Sequence, residues 1–156
     1  MTPIAEIPMT TTTTIPTAET HTATQMTDNS RLYIVMRRDL WDMNPGKAMA
    51  QAAHAQADFG AYQSSLVNQD GDEFWQAMSA WRDDREFGVT LVLHEPMDTM
   101  SKISMNVAHW GFVTDPTYPY RNYYGEVFTR SEVTCMWVFV YTEEELKYMR
   151  QWDLHK

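Results

Sequence analysis

Three side chains of distinct chemistry fall on one line of this 156-residue chain: Lys47, Gln51 and His54, spaced i, i+4 and i+7. At about 100° per residue a helix would gather them within an arc of roughly 60°. They would then offer one ligand a cation, an amide and a titratable imidazole. The segment opens Asn44-Pro45-Gly46-Lys47. Asn caps helices and Pro tolerates the first helical position, so Gly46 and Lys47 fall next in the first turn. A lysine there opposes the helix dipole at a cost of roughly 0.3–1 kcal/mol when exposed. Gly costs about 1 kcal/mol relative to Ala. Both choices become favourable if an anion docks at that end, where bare N–H groups, dipole and ammonium add. An ordinary exposed helix face, with a hydrogen-bonded His, would account for the same line without a ligand.

A second group lies between Asp115 and Arg130: Tyr118, Tyr120, Arg121, Tyr123, Tyr124 and Arg130. Tyrosines interleaved with arginines can stack on unpaired bases and neutralise phosphates. Packing of a long loop is the commoner role for such tyrosines. Arg37 and Arg38 close the first apolar run and, with Lys47, could form a local basic rim. That rim would sit on an acidic body, since 12 Lys+Arg face 21 Asp+Glu for a net charge of -9. The balance argues against nucleic-acid binding through bulk charge.

Other chemistry is excluded sooner. The single cysteine, Cys135, rules out an intrachain disulfide and suits a reducing, cytoplasmic compartment. It lies inside the strongest strand pattern and reads as core. His21, His94, His109 and His155 have no metal-ligand spacing, and only six glycines leave no phosphate-cradling loop. No cofactor is called for. No apolar run is long enough to span a membrane, and no secretory signal opens the chain. Exposed members of the twelve Met and six Trp would support a homodimer.

The elements that must position these groups follow from local pattern. Residues 1–30 hold eleven Thr, three Pro and no Lys or Arg, a composition that predicts a disordered tail before one domain at 31–156. Leu32 to Met36 is a fully apolar run, expected of a strand covered on both faces. The Ala-rich stretch from Pro45 to about Ser65 predicts a helix. A turn at Gln69–Gly71 precedes a second helix over about Asp72 to Arg82. Val89 to Leu93 reads as a strand, and Met97, Met100, Ile103 and Val107 as a helical stripe ending near Gly111. Phe112–Val113 predicts a short third strand that gives way to a loop at Asp115. Val133 to Tyr141 is the strongest strand signal, and Thr142 with Glu145 caps a last helix reaching about Trp152. Strands alternating with helices imply a three-layer α/β sandwich, a mixed four-stranded sheet with helices on both faces and at least one antiparallel strand.

Residues Gly46 to Ala55 (Gly-Lys-Ala-Met-Ala-Gln-Ala-Ala-His-Ala) resemble the GKxxAQxxHA signature of type 2 peptidyl-tRNA hydrolases, with six spaced identities in ten residues. Tyr33 to Leu40 is similar to the strand and loop that lead into the signature in that family. Weaker similarity extends over 31–154, including Val133–Thr134 and Glu143–Glu145.

The resemblance implies hydrolysis of the ester between a peptidyl group and the tRNA ribose, with the 3′ end of tRNA as partner. It implies Lys47 as positive charge at the ester or adjoining phosphate, Gln51 as an orienting amide and His54 as proton support. Gly46, Arg37, Arg38, Arg121 and Tyr118 would contact the substrate. The family's acidic residue, at the head of a DAGxT pattern, is matched by Asp115. The chain departs from that pattern at Pro116-Thr117-Tyr118-Pro119, which lacks the Gly and places Pro where the Thr would fall. An insertion of several residues is implied, and either Thr117 or Thr129 could supply the hydroxyl. The alternative expectation is a catalytically degenerate member of the same fold that binds tRNA or a protein partner.

Overall fold

The structure, a computed structural model, describes residues 30–66, 73–83 and 88–152. The tail expected over 1–30, except for Ser30, and the turn at Gln69–Gly71 lie outside the described residues. In chain order the elements are β1 (Arg31–Arg37), α1 (Pro45–Ser65), α2 (Glu73–Asp83), β2 (Thr90–Glu95), α3 (Met97–Ser104), β3 (His109–Arg121), β4 (Val127–Val140) and α4 (Glu143–Met149). The four-stranded sheet has the order β2-β1-β4-β3. β1 and β2 are parallel, as a helical crossover requires, whereas β4 runs antiparallel to both of its neighbours.

The sheet buries both faces, which is why β1 and the end of β4 are continuous apolar runs. On one side Leu32, Ile34, Trp137 and Phe139 pack against Ala55 and Phe59 of α1 and against Phe74, Met78 and Trp81 of α2. On the other, Val35, Leu93, Met136 and Val138 pack against Met100 and Ile103 of α3 and Leu146 and Met149 of α4. The three-layer architecture is therefore as the pattern implied. Asn44 caps α1 by accepting from the Lys47 N–H at 3.0 Å, with Pro45 at the first helical position. Thr142 caps α4 by accepting from the Glu145 N–H.

The segment after Asp115 is not a loop. β3 continues to Arg121 and β4 begins at Val127, so Asp115 to Arg130 forms the outer half of a long antiparallel hairpin. The third strand is accordingly much longer than Phe112–Val113. The β1–β4 pairing ends at Met36↔Cys135, while β3 and β4 stay paired as far as Arg121↔Val127. Beyond the end of β1 they stand alone as a two-stranded ribbon. Such a ribbon is marginal by itself. Its base is secured by Tyr118, Tyr120 and Leu40, a small cluster against which Met43 packs.

Candidate active site

Two β-bulges flank the point where the ribbon leaves the sheet, one between Val113 and Thr114 and one between Asp115 and Tyr118. At the first, Val113 pairs Cys135 and Thr114 pairs Val133, which leaves Thr134 as the extra residue of β4. A bulge re-aims a side chain that strict alternation would send to the opposite face. Thr134, fully buried, turns toward α1 and its hydroxyl meets Gln51 Oε1 at 2.6 Å. Gln51, buried in the second turn of α1, then donates from Nε2 to Asp115 Oδ2 at 2.8 Å. At the second bulge the chain folds back on the same carboxylate. Asp115 Oδ1 accepts from the Thr117 N–H at 2.9 Å and from the Thr117 hydroxyl at 3.3 Å. Gln51, Asp115 and Thr117 are thus brought together. Thr129 instead pairs with Pro119 out on the ribbon.

His54 lies one turn beyond Gln51 on α1 and is exposed at a cleft of about 310 Å³ that it lines with Asp58, Phe112, Val113, Asp115 and Pro116. Asp58 holds the indole N–H of Trp137 at 2.7 Å, which fixes one carboxylate oxygen at the cleft wall. The indole lies so close to Gly111 that a Cβ there would come within 2.5 Å of its nitrogen. Asp58 was not anticipated from the sequence, although it stands four residues from His54. Thr134 was seen only as part of a family likeness, because its inward turn depends on the bulge.

Lys47 is held on the other side of Gln51. Its ammonium pairs with Asp42 at 2.8 Å, reaches the Pro119 carbonyl at 3.4 Å and sits 5.1 Å from the centre of the Tyr118 ring. The hydrogen bond from Lys47 keeps the Asp42 carboxyl below its usual range; desolvation opposes it, and the charges of Lys47 and Arg121 add to the lowering. Gly46 is exposed, with one neighbouring N–H already used by the Asn44 cap.

Two of the expected substrate contacts are engaged within the protein. Tyr118 has 0% exposure, and burial pushes its hydroxyl pKa up to about 12, so the ring is core to the ribbon and presents no face to a base. Arg37 is engaged within the protein: it pairs with Asp39 at 2.8 Å, with Glu132, and donates to the Val133 carbonyl at 3.0 Å. It fastens the end of β1 to the ribbon. Arg38 is exposed and lines a second cleft of about 470 Å³ with His94, Leu40, Met43 and Asn44. Arg121 is exposed on the ribbon and donates to the Gly125 carbonyl at 3.1 Å.

The arrangement provides an oriented carboxylate, an imidazole on the same cleft and an ammonium one helical turn before the orienting amide. A carboxylate so held can take a proton from water, and the cations can offset developing negative charge. A family model for Peptidyl-tRNA hydrolase PTH2 matches residues 30–116, which carry the helix and Asp115. The match spans more than half of the chain, and the chain belongs to this hydrolase family. Comparison with curated proteins returned no match. Among the described residues no helix is long and apolar enough to cross a membrane.

Proposed function

We propose that this protein hydrolyses the ester of peptidyl-tRNA, with Asp115 as the base that activates water. The observation that carries the reading is the Gln51–Asp115 hydrogen bond of 2.8 Å. It joins the signature helix to the acidic residue 64 positions away, a contact that a helix serving only as packing has no need to make. In this reading Gln51 and Thr117 orient the carboxylate, His54 supports proton movement across the cleft, and Lys47 meets the negative charge of the ester or a neighbouring phosphate. Arg38 and Gly46 contribute to the same rim. Thr117 takes the hydroxyl position, since it contacts Asp115 whereas Thr129 stands on the ribbon.

The Asp42–Lys47 pair favours a second reading, in which the fold binds tRNA or a protein without turnover, because the cation is already partnered. Release of peptide from N-blocked aminoacyl-tRNA separates the two. Wild type is expected to turn over, with Asp115→Asn and Lys47→Ala slowed by about a hundredfold or more. Equal turnover in all three would remove the site assignment. Salt-dependent tRNA binding without hydrolysis by folded wild type would establish the second reading.

A further inference from the structure

We propose that the β3–β4 ribbon beyond Asp115 is a stacking arm for unpaired nucleotides of the RNA substrate, with the Tyr123 and Tyr124 rings as platforms and Arg121 as a phosphate contact. The inference rests on the proposed function, because it takes the ester at Asp115 as the place from which the RNA strand leaves.

The arm is built to hold aromatic rings in water. At its tip Asn122 Oδ1 accepts from the N–H groups of Tyr124 and Glu126, both at 2.9 Å, and Gly125 turns the chain at φ 83°. Turns of this kind favour small or polar residues. Here the turn carries Tyr123 at 98% exposure and Tyr124 at 84%. Their rings stand at 84° to each other with centres 5.6 Å apart, so they present separate faces. The shaft is fixed beneath them. Tyr120 stacks on Phe128 at 5.7 Å, and the Arg130 guanidinium lies 3.9 Å from the centre of the Tyr120 ring. An ordered shaft with two exposed rings at its end is preorganised for stacking rather than for burial within this chain.

Charge and reach select the occupant. Between Thr117 and Ser131 the arm carries Arg121 and Arg130 against Glu126; Arg130 is paired with Glu132 at 2.9 Å, which leaves Arg121 as the cation beside the tip. The Glu126 carboxylate is engaged by the Asn122 amide at 2.7 Å. The root of the arm touches Lys47 through Pro119, and Arg121 adds its charge near Asp42, so arm and catalytic rim are continuous. The last seven residues of β3, from Asp115 to Arg121, extend up to about 20 Å, a span suited to several unpaired nucleotides. Exposed ring faces beside a cation are what unpaired bases and their phosphates recognise.

The test uses the full chain as wild type, Tyr123→Ala/Tyr124→Ala and Tyr123→Phe/Tyr124→Phe, the exposed rings being removable without disturbing the core. Fluorescence anisotropy would measure binding to deacylated tRNA with and without its unpaired 3′ nucleotides. Wild type is expected to prefer the intact RNA. The Ala variant should lose about tenfold or more of that preference, and the Phe variant should keep it. The Ala variant should retain the wild-type salt dependence, whereas Arg121→Ala lowers the slope by about one. Equal preference in the Ala variant and wild type would overturn the arm. So would conversion of a wild-type dimer to monomer in the Ala variant with RNA affinity unchanged, which would make a second copy the occupant. Hydrolysis is read separately. Tyrosine-dependent binding without turnover by wild type would overturn the catalytic reading and leave the arm standing; turnover with the same KM in wild type and the Ala variant would do the reverse.

Discussion

The Thr134 hydroxyl donates to Gln51 Oε1 at 2.6 Å, while the Asp115 carboxylate, which only accepts, takes the other end of the same amide. A hydroxyl has one proton to give. Given to Oε1, it leaves Nε2 to donate to the Asp115 carboxylate at 2.8 Å. The reversed amide would set an oxygen against that carboxylate. A bulge in β4, a buried hydroxyl and a buried amide thus orient a group at the cleft from behind.

Thr134→Val keeps the side-chain shape and removes the proton. It leaves Gln51 Oε1 buried without a donor, at a cost of about 1–3 kcal/mol in chemical denaturation. The freed amide loosens Asp115, so kcat for peptidyl-tRNA should fall by about ten- to a hundredfold while KM changes little. Thr134→Ser should restore both quantities. An unchanged kcat in the Val variant, with the expected loss of stability, would confine Thr134 to packing.

Asp42→Asn tests the clamp on Lys47. The substitution keeps a polar group of the same size and removes the charge that engages the ammonium at 2.8 Å. If Lys47 meets a phosphate or the ester, the variant should show a lower KM. The dependence of tRNA binding on salt should become steeper by roughly one charge. A higher KM would mean that Asp42 aims Lys47 rather than competing for it.

Much of the fold was legible because its signals are local. Asn44-Pro45 and the alanines that follow set α1 from Pro45 to Ser65, and the apolar run after Arg31 set β1. The ribbon was hidden by Pro116 and Pro119. Proline withdraws a ladder donor, so a Pro-containing run reads as loop. Among the described residues β3 is an edge strand of the sheet, and there proline is tolerated. The burial of Tyr118 was hidden for the same reason, since burying its ring requires the strand alternation that the prolines concealed. The line of Lys47, Gln51 and His54 was readable as helical spacing, but its distribution was not: Gln51 is buried, His54 is exposed and Lys47 is clamped. Those fates depend on β3 and β4, which lie far along the chain.

Cys135 should behave as an inert core thiol. It is fully buried against the Gln51 carbonyl, and desolvation pushes its pKa up to about 12. Near pH 8 only about one thiol in ten thousand would be ionised. A thiol-reactive chromophore should therefore leave the native chain unmodified over hours and label it fully after denaturation. Rapid labelling of folded protein would show that β4 opens locally beside Gln51, and the orienting contact described above could not then be a rigid one.

Acid should release the arm before it unfolds the sheet. Burial alone would raise the Glu132 pKa, but hydrogen bonds from Tyr120 and Arg37 and the charges of Arg37 and Arg130 outweigh it and hold the carboxyl below its ordinary 4.5. The Arg37 hydrogen bond likewise holds Asp39 below its ordinary 3.8. A depressed folded pKa means that the unfolded chain binds its proton first as pH falls. The stabilisation is complete above about pH 4.5 and is lost as pH drops through the lower folded value. Glu132→Gln should thus be about 1–3 kcal/mol less stable than wild type near neutral pH. The gap should close toward zero below the folded pKa, as followed by urea denaturation across the acid range. Tyr120 donates to Glu132 at 2.8 Å, so its near-ultraviolet circular dichroism should change over the same interval. A gap that persists undiminished into strong acid would show that the carboxylate charge does not fasten the ribbon to β1, and its packing against Leu40 and Met43 would then have to hold the arm in place.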